Sequence, residues 1–251
     1  MLPIAEKYTL PHLLNRLKRF YSNTLPLILD ADSRHAAKTL RCKVGDKIEV
    51  IDGQGKLYEA EIFYIGRNEI QLKDIKILQE EANPQTLSIA IAPTKNPSRL
   101  EWFIEKVTEL GVKNIYPIQT KRTEKTSIKE ERLNNIIISA VKQSKQLYLP
   151  TLFPLQSIEE VIQQTQSIEQ KFIAHCSDNQ QDLLQNIYQK NKELIIFIGP
   201  EGDFTPEEIS LCKQNGFCEI SLGNSILRTE TAGVYATAII RTFQDSKILM
   251  E

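Results

Sequence analysis

Ile198-Gly199-Pro200-Glu201-Gly202-Asp203-Phe204-Thr205-Pro206-Glu207-Glu208 follows directly on Leu194-Ile195-Ile196-Phe197, and this junction decides the fold class. Leu194 to Ile198 is too continuously apolar for a strand with one wet face, so it predicts a central strand of a sheet covered on both sides. Gly199 and Gly202 let the backbone turn sharply and lie close to a ligand. Thr205-Pro206-Glu207-Glu208 then starts a helix, with Thr205 as N-cap, Pro206 at the first helical position and Glu208 closing a capping box. Such a strand–turn–helix presents backbone N–H groups at a helix head, where anions and polar ligand edges dock. A plain connecting turn is the commoner meaning of G-P-x-G alone. Ligands in open α/β sheets sit beyond the carboxyl ends of central strands, which favours a site here.

A second junction lies some twenty residues on. Leu222-Gly223-Asn224-Ser225 leaves the strand Glu219 to Leu222, and Ile226-Leu227-Arg228-Thr229-Glu230-Thr231-Ala232 leads into a helix from Ala232 to Phe243. That helix carries no charge before Arg241, the pattern of a helix buried on most faces. Arg228 and Glu230 are therefore expected beside an interior pocket or a subunit interface. A salt bridge at a helix start, with Glu230 favoured by the helix dipole, explains the pair equally well on spacing alone.

Working outward, strands are also expected over Leu87 to Ala92, Asn114 to Gln119 and Phe172 to Cys176. Helices are expected after Ser98-Arg99-Leu100-Glu101, read as a capping box, over about Lys129 to Lys145, and from Ser157-Ile158-Glu159-Glu160. The first of these shows Leu100, Phe103, Ile104, Val107 and Leu110 on one face and is stopped by Gly111. Strands alternating with helices predict an α/β unit with a mostly parallel sheet.

The first third reads differently. Leu25 to Leu29, Lys47 to Ile51, Leu57 to Ile65 and Ile70 to Ile77 predict short strands, with Asp52-Gly53-Gln54-Gly55 as a hairpin connection and one helix from about Ser33 to Arg41. Short strands separated by glycine turns suggest a small barrel. Gln79 to Gln85, with Asn83-Pro84, is the expected linker.

Composition narrows the function classes. The 251 residues carry a formal net charge of −1, but residues 91–150 hold 11 basic against 6 acidic side chains, and residues 151–251 hold 7 against 14. A basic middle beside an acidic end suits a polyanion-facing side, although a solvated helical face gives the same count. Four cysteines without a C-x-x-C pair and three scattered histidines (His12, His35, His175) predict no metal site. No apolar run approaches the roughly 18 residues of a membrane span. Leu2 to Leu17 is too interrupted by charge for a signal peptide, and the expected location is a reducing cytoplasm. The absence of G-x-G-x-x-G and of G-x-x-x-x-G-K-[ST] disfavours nicotinamide and P-loop chemistry.

Gly199-Pro200-Glu201-Gly202 together with Leu222-Gly223 and Ile226 to Ala232 resembles the signature of the RsmE family, 16S ribosomal RNA uridine-N3 methyltransferases of the SPOUT superfamily. Lys95, Arg99 to Trp102, Lys106 to Val112, Arg122, Gln143-Ser144 and Pro150 extend the resemblance upstream. His35, Leu40-Arg41 and Gly45-Asp46 are similar to the family's N-terminal RNA-binding domain. The resemblance spans Phe20 to the C-terminus and implies an extension over 1–19, a PUA-like β-barrel over 20–80 and a SPOUT domain over 81–251. It also implies a C-terminal trefoil knot, against the general avoidance of knots, and an obligate homodimer with the pocket beside the interface.

S-adenosyl-L-methionine is then the expected cofactor, held by main-chain groups of three loops and by His175, Gly199, Pro200, Glu201, Gly202, Leu222, Gly223, Ile226, Leu227 and Thr231. Catalysis falls to Arg228, stabilising charge on the uracil, and to Glu230 or Glu201 as proton acceptor. Arg41, Lys95, Arg99 and Arg122 are expected to hold RNA, the substrate being 16S ribosomal RNA or the assembled small subunit. Asp203 stands where the family has a second glycine, and Lys142 and Gln146 stand where Glu and Arg are usual. The rival readings are a related ribose 2′-O-methyltransferase and a catalytically silent RNA-binding protein.

Overall fold

The computed structural model describes residues 17–29, 40–83, 85–176 and 181–246. The expected helix near 33–41 falls almost wholly outside these residues, as do His12, His35 and most of the 1–19 extension. The chain divides into two compact units, Met1–Asn83 and Pro84–Glu251.

The first unit is one curled sheet. Strands β1 (Arg19–Tyr21), β2 (Leu27–Leu29), β3 (Lys47–Ile51), β4 (Lys56–Ile65) and β5 (Glu69–Glu80) pair in the order β1-β3-β4-β5-β2. Only β1 and β3 run parallel. Strands β1 and β2 are the two edges, yet Phe20 from one and Ile28 from the other lie in a single buried cluster with Ile48, Val50, Ala60, Ile62 and Ile70. Five strands can share one core in this way only if the sheet wraps around it. Asp52-Gly53-Gln54-Gly55 does connect β3 to β4, with φ of +75° and +107° at the two glycines. Asp52 Oδ1 accepts from the Gln54 and Lys56 N–H groups and closes this turn.

The second unit is a parallel sheet with helices on both faces. Its elements are β6 (Leu87–Ile91), α1 (Pro97–Glu109), β7 (Asn114–Gln119), α2 (Glu130–Ser144), β8 (Thr151–Leu152), β9 (Gln156–Ser157), α3 (Ile158–Gln164), β10 (Gln170–Ala174), β11 (Asp182–Leu183), α4 (Leu184–Ile187), β12 (Leu194–Ile198), α5 (Pro206–Gln214), β13 (Cys218–Ser221) and α6 (Thr229–Asp245). The strand order is β11-β13-β10-β12-β6-β7-β8, with β9 also pairing β7, and every pair is parallel. β12 is central and all five of its residues are buried, as its composition requires. α3 and α5 cover one face through Ile158, Val161, Ile162 and Cys212, packed with Ile173, Phe197 and Phe217. α1 and α6 pack on each other, and α6 also contacts β6 and β12.

Two helix starts differ from the sequence reading. Asn96, not Ser98, caps α1: its Oδ1 accepts from the Ser98 N–H at 3.0 Å, and Pro97 takes the first helical position. Glu101 is thereby free to form a bidentate pair with Arg132 of α2, Nη2 to Oε2 being 2.8 Å. α6 begins at Thr229 rather than Ala232, which makes Arg228 the N-cap residue and puts Glu230 in the first turn. Nor is α6 buried on most faces. Tyr235 and Phe243 are 47% and 39% exposed in the single chain.

Candidate active site

Parallel pairing places the carboxyl ends of neighbouring strands along one edge. Ala174 of β10 is in register with Ile198 of β12 and Ile220 of β13, and Ile198 is in register with Ile91 of β6. The segments that follow these strands therefore emerge side by side: His175-Cys176 after β10, 199–205 after β12, 222–228 after β13 and 92–96 after β6. These segments contain His175, Gly199, Pro200, Glu201, Gly202, Leu222, Gly223, Ile226, Leu227 and Lys95, with Arg228 closing the third.

The 199–205 turn is built closely. The Asp203 N–H donates to the Pro200 carbonyl at 3.0 Å. A Cβ on Gly199 would stand 3.1 Å from the Phe204 ring, tighter than ordinary contact, so glycine lets that ring fold under the turn without being displaced. Asp203 itself adopts φ +62°, the left-handed region where glycine is favoured and Asp is among the tolerated side chains. Its carboxylate offsets that conformation with two bonds, accepting from the Phe204 N–H at 2.8 Å and from the Cys176 N–H at 2.9 Å. The second bond fastens the β10 loop to the β12 turn. No partner for the Glu201 and Gly202 N–H groups occurs among the described residues, so both can donate to a ligand.

The loop after β13 needs its glycine too: Gly223 has φ +118°. Its N–H donates to Ser221 Oγ at 3.1 Å. Ile226 is 90% exposed and Thr231 is exposed, while Leu222 and Leu227 are half-buried.

His175 turns away from this edge. Its ring is bound at Nε2 to Glu219 Oε2 at 2.9 Å and at Nδ1 to the Cys176 carbonyl at 3.0 Å, with Gln181 also within 2.9 Å of Nε2. Glu219 is in turn paired with Lys213, and that hydrogen bond first, then His175, holds its carboxyl below the usual carboxylate range. Burial, and after it the Asp203 carboxylate, push the Cys176 thiol up, so it is not a poised nucleophile.

The charged residues group in pairs. Glu230 is buried at 9% side-chain exposure, with Oε1 3.6 Å from Arg99 Nε and Oε2 without a hydrogen-bond partner. A buried carboxylate oxygen left open costs free energy and is ready for a donor. The Arg228 guanidinium is exposed and has no partner among the described residues. Glu201 is exposed on the turn and lies in the field of Lys95, whose own partner is Glu124 at 2.9 Å. Arg122 does not project freely: its Nη1 donates to the Gly202 carbonyl at 2.6 Å and toward that of Phe204 at 3.5 Å. Arg41 belongs to the other unit, exposed and at φ +51°.

Thus the edge gathers eleven of the residues singled out from sequence; Arg122 joins it through the Gly202 carbonyl, while Arg99 and Glu230 pair with each other. The sequence reading missed Asp203 as a bridge and Glu208 as more than a cap. Glu208 Oε1 also accepts from the Lys121 N–H at 2.7 Å, across 87 residues of chain, and no spacing rule reaches that far. Among the described residues no cluster of three or more potential metal ligands occurs, and no helix is long and apolar enough to cross a membrane.

Parallel strands, a glycine turn with open amides and a carboxylate–guanidinium pair make a ligand-binding edge of an α/β sheet, and similarity to known proteins gives its class. The RNA methyltransferase domain profile matches residues 81–241 and the RNA methyltransferase PUA domain profile matches residues 28–75. The chain belongs to the RNA methyltransferase family, among the ribosomal RNA small subunit methyltransferase E proteins. It is 30% identical over 222 residues to the Ribosomal RNA small subunit methyltransferase E of Synechocystis, covering 86% of this chain and 72% of that one. A probable rRNA-methyltransferase from Porphyromonas gingivalis superposes with a TM-score of 0.81 at 34% identity, covering 91% and 98%. The Neisseria gonorrhoeae Ribosomal RNA small subunit methyltransferase E, solved bound to S-adenosyl methionine, gives 0.79 at 27% identity over the same shares.

Proposed function

We propose that this protein transfers a methyl group from S-adenosylmethionine to N3 of a uridine in 16S ribosomal RNA. The carrying observation is the edge formed by the three loops after β10, β12 and β13: the β12 turn keeps its Glu201 and Gly202 amides open, and the β13 loop runs into Arg228, without a side-chain partner among the described residues, and Glu230, whose Oε2 makes no hydrogen bond there. The residues fit the cofactor: the Glu201 and Gly202 N–H groups are open among the described residues, and Gly199 and Gly223 let the two loops turn tightly enough to present main-chain groups to a ligand. S-adenosylmethionine supplies an electrophilic methyl group. The protein must then orient the uracil, take the N3 proton and stabilise the charge that spreads onto the uracil oxygens. Arg228 supplies the cation for that charge. Glu230 takes the proton, its burial and open oxygen favouring it over the exposed Glu201. Positioning supplies much of the acceleration.

In this reading residues 20–80 form a PUA-like barrel that grips RNA with Arg41, and 81–251 form the SPOUT domain, with Lys95 and Arg99 beside the target base. A trefoil knot accords with the topology: α6 follows β13, near one end of the sheet, yet packs on α1, β6 and β12. A homodimer accords with the exposed Tyr235 and Phe243 of α6 and the bare Ile226. The location is the cytoplasm, where the ribosomal substrate is made.

Small subunits isolated from a strain deleted for this gene, incubated with the protein and S-adenosylmethionine and digested to nucleosides, test the reading by mass spectrometry. It requires 3-methyluridine to appear. A ribose-methylated nucleoside would support the 2′-O rival, and no product would support a silent RNA-binding protein.

A further inference from the structure

Arg122 is joined to the 199–205 turn by a closed circuit of hydrogen bonds. Its Nη1 donates to the carbonyls of Gly202 and Phe204. The peptide between Gly202 and Asp203 is held at its other end, where the Asp203 N–H meets the Pro200 carbonyl. The peptide between Phe204 and Thr205 is held likewise, its N–H donating to Glu208 Oε2 at 2.8 Å. Glu208 Oε1 returns to the Lys121 N–H at 2.7 Å, the residue next to Arg122. Glu208 is buried at 7% exposure, so its carboxylate has the protein's own N–H groups as partners in place of water. The stem of Arg122 crosses the turn closely: a Cβ on Gly202 would meet Arg122 Cδ at 3.4 Å, an ordinary contact distance.

Two peptide planes fixed at both ends determine where the remaining amides of the turn point. Those amides, Glu201 and Gly202, are the open donors of the turn among the described residues. We propose that Arg122, together with Glu208, is a positioning residue that sets the donors of the 199–205 turn for the cofactor, and is not a phosphate contact. This rests on the assignment of that turn to S-adenosylmethionine. Both bonds leave Nη1, the shorter at 2.6 Å to Gly202 and the longer at 3.5 Å to Phe204, and the planar guanidinium fixes their directions where an ammonium on a flexible stem would rotate.

The test uses the full-length protein with S-adenosylmethionine in calorimetry, and small ribosomal subunits in steady-state kinetics. Arg122→Ala and Glu208→Gln should each raise the Kd and KM for S-adenosylmethionine about tenfold. Their kcat should stay within about threefold, and the KM for subunits and its salt dependence should not move. Arg122→Lys should recover part of the loss. An Arg122→Ala protein with unaltered cofactor affinity overturns the proposal. So does one with weaker subunit binding whose logarithmic salt slope is smaller by about one, the mark of a lost phosphate contact. Failure of the wild-type protein to bind S-adenosylmethionine would instead sink the assignment of the turn, a result distinct from equal binding by wild type and variant. A circular-dichroism melt of each variant separates loss of fold from loss of function: a variant unfolded at the assay temperature is replaced by Arg122→Gln, for which the same two outcomes decide.

Discussion

Replacing Gly233 with alanine tests how α6 is seated. Gly233 lies one turn into α6, where the helix crosses α1 and β6. An alanine methyl there would stand 2.9 Å from Phe103 Cδ2, nearer still to Cε2, and 3.4 Å from Ile91 Cδ1. Carbon atoms rest at about 3.5–4.0 Å, so α6 and α1 must part by roughly 1 Å unless the ring turns aside. Phe103 is fully buried, so the ring cannot swing out to solvent without displacing its neighbours. Overpacking of this kind costs about 1–3 kcal/mol. The gain in helix propensity on replacing glycine by alanine returns about 1 kcal/mol. The expected net loss is about 1 kcal/mol, a fall of roughly 2–4 °C in Tm for a chain of this size. Function should suffer more, because Arg228 and Glu230 ride on the first turn of the shifted helix, and a 1 Å displacement costs up to about 10²-fold in turnover. Urea unfolding of Gly233→Ala, Phe103→Leu and the double variant measures the effect. The double variant should be more stable than the sum of the single effects requires, by about 1 kcal/mol of coupling. If Gly233→Ala instead stabilises by about 1 kcal/mol and adds independently to Phe103→Leu, the close helix contact is not there.

Other outcomes follow from the same structure. Arg228→Ala should abolish methylation while leaving S-adenosylmethionine affinity within about threefold by calorimetry, as the proposed role of Arg228 toward the base requires; unchanged turnover removes it from the mechanism. Glu219 has its folded pKa lowered by Lys213 and His175, so its contribution is present above the ordinary glutamate range and is lost as pH falls through the depressed folded value. Stability of the wild type should therefore decline more on acidification below pH 5 than that of Glu219→Gln, and parallel declines would contradict the pairing. Cys212 is buried, with its thiol pushed up to about 12 by burial first and Glu208 second. Iodoacetamide at pH 8 should modify the exposed Cys176 and Cys218 and spare Cys212 until urea is added, as read by peptide mass spectrometry.

Much of the fold was legible because local signals agreed. Leu194 to Ile198 is apolar at every position, and the strand it forms is central and buried throughout. Thr205 and Glu208 make both bonds of the expected capping box. Ser98 failed as a cap because Asn96-Pro97 offered a stronger start two residues earlier, an Asn side chain before a proline that needs no N–H. The start of α6 was placed too late because Arg228, Thr229 and Glu230 read as polar approach, whereas Thr229 and Glu230 are buried in the first turn. Strand order was not legible, since parallel neighbours such as β12 and β6 are more than a hundred residues apart. The site was visible as two motifs, but not its wiring. Asp203 to Cys176, Arg122 to Gly202 and Glu208 to Lys121 are long-range contacts that spacing cannot encode.

The most direct measurement is the crystal structure of the protein soaked with S-adenosylmethionine. Cofactor density should lie at the carboxyl ends of β10, β12 and β13, within 3.2 Å of main-chain nitrogens or oxygens of 199–203 and 222–227, with Arg228 beside the sulfonium methyl and outside the adenosine contacts. An unoccupied edge at saturating concentration, or cofactor bound elsewhere on the chain, would contradict the account.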